Sequence, residues 1–165
     1  MTCIIAHRDG WMCADRRTTF TGGLLGPYVL SKVKRSDGLL WATAGAGVLP
    51  TKIKAVLKDD DRYYPANLKA IQGLFLAQPG DGMQGHALVL TVDRRIYELS
   101  SSGELSEIGR KVTHWSIGSG YQFALGYLHA IEKTRKITPK DARAAIAFAS
   151  TRVNDVGDGF QLEKL

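Results

Sequence analysis

Thr2-Cys3-Ile4-Ile5-Ala6-His7-Arg8-Asp9-Gly10-Trp11-Met12-Cys13-Ala14-Asp15 is the stretch whose reading decides the fold. Thr2 to His7 is rich in β-branched and apolar types. Arg8-Asp9-Gly10 is a turn signal, and Trp11 to Ala14 is a second short apolar run. Two such runs around a glycine-containing turn predict a β-hairpin at the start of the chain.

Reading outward from the hairpin, strands are predicted over Tyr28 to Lys34 and Leu39 to Thr43, with Ser36-Asp37-Gly38 turning the chain between them. A short helix is expected over Pro50 to Leu57, with proline at its start. A second is expected over Ala66 to Gln78, where Leu68, Ile71, Leu74 and Phe75 share one helical face. Pro79-Gly80-Asp81-Gly82 ends it. Ala87 to Val92, Ile96 to Ser100 and Glu104 to Ile108 then form a β-meander, followed by a strand over His114 to Ile117. Helices are predicted over Tyr121 to Lys133 and from Thr138 to about Val153. The latter opens on Thr138-Pro139-Lys140-Asp141, a cap with proline at the first helical position and an acid at the third. Phe160 to Leu165 is a closing strand. Grouped strands alternating with grouped helices predict an α+β fold with two antiparallel sheets and helices on their outer faces.

The chain has 165 residues, 44% hydrophobic and 23% charged. That length suits a single domain, 1–165, with a real core, and the composition excludes wholesale disorder. The net charge of +6 permits acidic partners but is too small to make a nucleic-acid footprint when spread over a whole surface. No run of ~18 apolar residues is present, so no membrane span is expected. No signal peptide is visible at the N-terminus. Cys3 and Cys13 lack metal-ligand spacing and build no disulfide framework, and they read as small buried apolar groups. A reduced, cytoplasmic protein is the expectation.

Position 2 carries the candidate chemistry. A small second residue favours removal of Met1, and an N-terminal threonine then holds a hydroxyl and a free amine together. A free α-amino group titrates at about 7.7–8.0, so it is a built-in general base for that hydroxyl. Other groups are open to more than one reading. Asp15 with Arg16 and Arg17 is otherwise a solvated charge cluster. Lys32 and Lys34 fall on one face if the segment is a strand. Gly45 and Gly47 are both loop glycines, and Ser119 reads equally as a helix N-terminal turn residue. His7, His86, His114 and His129 do not cluster in sequence and read as ordinary residues. The glycines at 22–26 lack the Lys-Ser/Thr end of a phosphate loop.

Several segments together resemble the proteasome β-subunit family, including its bacterial ATP-dependent peptidases. They are Thr2-Cys3-Ile4-Ile5-Ala6, Arg8-Asp9-Gly10, Ala14-Asp15-Arg16-Arg17, Ser31-Lys32-Val33, Ala44-Gly45-Ala46-Gly47, Gly118-Ser119-Gly120 and Arg152-Val153-Asn154-Asp155. Their order and spacing span nearly the whole chain. The resemblance implies a four-layer αββα sandwich of N-terminal-nucleophile hydrolase type and a threonine endopeptidase. In it Thr2 is the nucleophile, Lys32 the positive charge beside its hydroxyl and Asp15 the partner of Lys32. Gly45 is the oxyanion donor, and Ser119 and Asp155 steady the terminal amine. It further implies a homo-oligomeric ring or stacked rings, polypeptide substrates and an ATP-dependent unfoldase partner. A chain with no propeptide beyond Met1 matches the bacterial branch. Peptide hydrolysis by this route requires no cofactor, although Asp155 and Asp158 could hold a structural cation. A non-catalytic scaffold or assembly subunit of the same fold is the second reading. A basic nucleic-acid-binding module, resting on charge alone, is the third.

Overall fold

The computed structural model describes residues 2–17, 31–36, 38–45, 47–57, 64–77, 85–154, 156–157 and 159–165. The opening hairpin is present as β1 (Ile4–His7) and β2 (Trp11–Asp15), joined at Arg8-Asp9-Gly10 and paired Ile4 with Ala14 through His7 with Trp11. The remaining elements are β3 (Lys34–Ser36), β4 (Leu39–Gly45), α1 (Leu49–Val56), α2 (Tyr64–Leu76), β5 (Gly85–Thr91), β6 (Ile96–Leu99), β7 (Leu105–Glu107), β8 (His114–Ile117), α3 (Tyr121–Glu132), α4 (Pro139–Ser150) and β9 (Phe160–Lys164).

One antiparallel sheet has the order β8-β1-β2-β9 and the other β3-β4-β5-β6-β7. Strand alternation then sorts side chains into three apolar layers. Ile4, Ala6, Met12 and Ala14 point from the first sheet toward Leu40, Ala42, Leu88 and Leu90 of the second. The intervening Cys3, Ile5 and Cys13 point the other way, against Ala124 and Leu128 of α3 and Ala142, Ala145 and Ala149 of α4. Leu39, Trp41, Ala87 and Val89 face Ile53 of α1 and Leu68, Ile71 and Phe75 of α2. Both faces of both sheets are therefore covered, which is why β1 and β2 are apolar almost without interruption. The architecture is the four-layer αββα sandwich.

Local signals explain several boundaries. Thr138 and Asp141 form a reciprocal capping box at the start of α4, with Pro139 in the first turn. Arg135, in the basic run after α3, clasps the Asp141 carboxylate with both terminal nitrogens (2.8 and 2.5 Å). One prediction shifts. Of the strand expected over Tyr28 to Lys34, residues 28–30 lie outside the described residues, and pairing begins only at Lys34 and runs to Ser36. Ser31 and Lys32 precede the strand, so alternation does not decide which way Lys32 faces. The glycines at 22–26, the Pro79 to Gly82 turn, Asp155 and Asp158 also lie outside the described residues.

Candidate active site

Thr2 lies two residues ahead of the start of β1, where backbone contacts from two directions fix it. Its carbonyl accepts a hydrogen bond from the Gly120 N–H (3.4 Å), just after β8. Gly118, with φ of +93°, lies so close that a Cβ there would meet the Thr2 carbonyl oxygen at 2.1 Å. Only glycine permits this approach. The Gly-Ser-Gly segment is thus the clamp that holds Thr2 against the sheet.

Asp15 ends β2 and is fully buried, so the reading of Asp15-Arg16-Arg17 as a solvated cluster does not hold. Oδ1 of its carboxylate accepts from the Cys3 backbone N–H (2.8 Å) and from Lys32 Nζ (2.9 Å). Oδ2 accepts from the backbone N–H groups of Arg17 (3.2 Å) and Gly157 (3.3 Å). Four donors around one buried carboxylate satisfy it from both sides. Lys32 Nζ also donates to Thr2 Oγ1 at 2.7 Å, so the ammonium bridges the carboxylate and the threonine hydroxyl. Burial draws the Lys32 pKa below its ordinary value, against the opposing pull of Asp15.

The segment carrying Lys32 is tethered from the far end of the chain. Gln161 of β9 accepts from the Val33 N–H through Oε1 (3.0 Å). Its Nε2 donates to Ser31 Oγ (2.7 Å) and to the Val33 carbonyl (2.8 Å). Residues on both sides of Lys32 are thereby fixed, which aims the side chain at Thr2.

Thr2 opens onto a cavity of about 640 Å³. Gly45, the last residue of β4, lines it with φ of +123°, a conformation that a side chain would strain. Gly47 is not among its lining residues. The opposite wall includes Gly118, Ser119 and Tyr121, and the floor includes His86, Glu98 and Trp115. Glu98 accepts from Trp115 Nε1 (2.7 Å) through one oxygen and lies 3.1 Å from His86 Nδ1 through the other. Ser119 Oγ is buried and has no hydrogen-bond partner among the described residues. Such an orphaned hydroxyl marks a place for a further donor or acceptor.

Of the residues singled out in the sequence, Thr2, Asp15, Lys32, Gly45 and Ser119 come together here, while Asp155 lies outside the described residues. Sequence reasoning missed the backbone donors of Cys3, Arg17 and Gly157, the tether at Gln161, and the His86, Glu98 and Trp115 floor. Backbone donors carry no side-chain signature, and the floor residues come from three different strands. Cys3 and Cys13 are free and buried. Burial, with Asp15 nearby, pushes the Cys3 thiol up to about 12, so it stays protonated and offers no competing thiolate.

No protein-family model matches the chain, and no curated protein matches it in sequence. Solved structures do match in fold. Eukaryotic HslV from Trypanosoma brucei superposes with a TM-score of 0.77 at 19% identity, covering 98% of each chain. Thiobacillus denitrificans BPH, in complex with epoxomicin, gives 0.72 at 17% identity over 100% of this chain and 98% of that one. The Anbu (Gly-1) mutant from Hyphomicrobium sp. strain MC1 gives 0.74 at 13% identity over 100% and 81%. The fold is that of the proteasome β-subunit-like N-terminal-nucleophile hydrolases.

Proposed function

We propose that this chain, which folds as proteasome-like hydrolases do, is a threonine-type endopeptidase that acts through Thr2 once Met1 is removed. One observation carries the reading: Lys32 Nζ lies 2.7 Å from Thr2 Oγ1 and 2.9 Å from the buried Asp15 carboxylate, at the edge of a cavity large enough for a peptide side chain. The fold similarity to HslV and to an epoxomicin-bound protein supports it.

In this reading the freed Thr2 amine takes the proton from Oγ1, and the oxygen attacks a peptide carbonyl. The fixed Lys32 charge favours the developing alkoxide and holds down the amine pKa. The Gly45 N–H faces the carbonyl oxygen as it becomes an oxyanion. Collapse of that intermediate expels the leaving amine, protonated by the Thr2 ammonium, and leaves an ester on Oγ1. Water, deprotonated by the same amine, then hydrolyses the ester. The Ser119 hydroxyl accepts from the Thr2 ammonium, which gives its orphaned oxygen a partner, and Asp155 serves the same amine.

The chain acts as a homo-oligomeric ring or stacked rings, cytoplasmic, with polypeptide substrates supplied by an ATP-dependent unfoldase. Asp155 and Asp158 are the residues for a structural cation, and hydrolysis itself needs none.

The test is intact mass before and after an epoxyketone probe, which bonds to both the hydroxyl and the amine of an N-terminal threonine. A chain lacking Met1 that gains one probe, and loses both labelling and peptide hydrolysis in Thr2→Ala, is the expected result. Retention of Met1 with no adduct would refute the mechanism and favour a non-catalytic scaffold subunit. Hydrolysis unchanged in Thr2→Ala would refute it too.

A further inference from the structure

At the end of the first sheet remote from Thr2, the imidazoles of His7, His114 and His129, which do not cluster in sequence, gather in space. β1 and β8 pair His7 with His114, and the His7 ring stacks on Trp11 at 4.7 Å between centroids. The His114 and His129 centroids are 4.9 Å apart. Glu132, one turn beyond His129 on α3, completes the group.

We propose that His114, His129 and Glu132 form a binding site for one divalent transition-metal ion of the zinc class. One ligand atom from each of the three lies within 4.8 Å of the others. Ligand atoms on a tetrahedral zinc ion, with bonds of about 2.0–2.1 Å, stand roughly 3.4 Å apart. The His129 Nδ1 to Glu132 Oε2 separation is already 3.5 Å. Both of these side chains are partly exposed, while His114 is buried.

The hydrogen bonding of His114 supports the same conclusion. Thr113 Oγ1 donates its single proton to Glu132 Oε1 (2.5 Å), so it must accept from His114 Nδ1–H at 3.0 Å. That tautomer leaves a lone pair on His114 Nε2, which is buried and has no hydrogen-bond partner among the described residues. Nδ1, the His114 atom 3.9 Å from Glu132 Oε1, is the one Thr113 engages, so Nε2 is the ring nitrogen left to take a metal, and coordination there leaves no polar atom of the ring unsatisfied. It also gives the metal ligand the outer hydrogen bond such ligands use for orientation. Two imidazoles and one carboxylate suit zinc, cobalt or nickel and are poor ligands for magnesium or calcium. The ion ties the start of β8 to the last turn of α3. It lies beside His7, whose ring is 6.4 Å from that of His114 and which is five residues along the first strand from Thr2, roughly 17 Å by strand rise, and it does not depend on the peptidase reading.

Titration calorimetry of the untagged, chelator-dialysed protein with Zn²⁺ and with Mg²⁺ tests the site. The expected result is one Zn²⁺ per chain with no Mg²⁺ binding at the same concentrations. His129→Ala and Glu132→Gln, both at exposed positions and checked for folding by circular dichroism, should each weaken Zn²⁺ binding at least tenfold. Co²⁺ loading should produce a visible absorption band that His129→Ala loses. No saturable Zn²⁺ binding, or unchanged affinity in both variants, would overturn the proposal. Loss of Zn²⁺ binding in His86→Ala would place the ion at the His86 and Glu98 pair instead and overturn it as well.

Discussion

Replacing Asp15 by Asn tests how the candidate site is held together, independently of any activity. The substitution keeps the shape and removes the charge. Oδ1 of Asp15 meets two donors at 2.8 and 2.9 Å, and Oδ2 meets two at 3.2 and 3.3 Å. An amide has only one acceptor oxygen, so its NH2 must face a pair of N–H donors whichever way it is turned. The looser pair, Arg17 N–H and Gly157 N–H, is the one it gives up. Hydrogen bonds to a charged group are worth about 1.5–3 kcal/mol each, and breaking a buried ion pair costs about 3–5 kcal/mol. These two estimates overlap because they describe the same carboxylate, so about 3 kcal/mol is expected for the whole change. For a chain of this length that lowers the melting temperature by roughly 6–12 °C.

The diagnostic quantity is the coupling with Lys32. Urea denaturation of wild type, Asp15→Asn, Lys32→Met and the double variant closes a cycle. Lys32→Met removes the ammonium that Asp15→Asn leaves buried without its counter-ion. The double variant should therefore fall short of the sum of the singles by more than about 1 kcal/mol. Additivity to within about 0.5 kcal/mol, or an Asp15→Asn variant as stable as wild type, would show that the ammonium does not depend on the carboxylate. The account of how Lys32 is aimed would then be wrong.

Two further outcomes follow from the same geometry. Gly118→Ala places a Cβ 2.1 Å from the Thr2 carbonyl oxygen, a backbone atom, at a φ of +93°. It should destabilise the protein by more than about 1 kcal/mol in urea titration and cut epoxyketone labelling at least tenfold. Wild-type labelling would show that Thr2 is not held by this contact. Asp141 is bound by Arg135 and by the Thr138 N–H and hydroxyl, and Arg135 foremost holds its pKa well below the ordinary carboxylate value. Its stabilisation is therefore complete above that ordinary value and is lost as pH falls below it. Asp141→Asn should cost about 1–2 kcal/mol at pH 7. The gap to wild type should narrow as pH is lowered from 4 to 2, and a gap constant over that range would refute the assignment.

Much of this was legible in the chain because local chemistry and tertiary demand agree. Arg8-Asp9-Gly10 turns the first hairpin as written, and Thr138 with Asp141 caps α4 where the motif places the start. Legibility stops where position depends on a partner far along the sequence. Lys32 is not oriented by strand alternation, since it precedes β3, but by Gln161 gripping the residues beside it. Asp15 reads as one of three charged neighbours, and only the fold removes it from water while leaving Arg16 and Arg17 at the rim. The histidines look unrelated because their meeting requires β1, β8 and α3 to converge. The floor of the cavity is similarly assembled from β5, β6 and β8, each contributing a residue unremarkable by itself.

The Gln161 tether also bears on timing during synthesis. β9 is translated after every other described element, and Gln161 enters the fold only when β9 docks on β2. Until then Ser31 and Val33 lack the contacts that aim the intervening ammonium at Thr2. A chain still emerging from the ribosome carries Thr2 from the first moments, but Lys32 is aimed at its hydroxyl only once β9 has docked. The bridge from Asp15 through Lys32 to the Thr2 hydroxyl is thus a late feature of the fold, set only after β9 has docked, although both of its outer members belong to the first hairpin region.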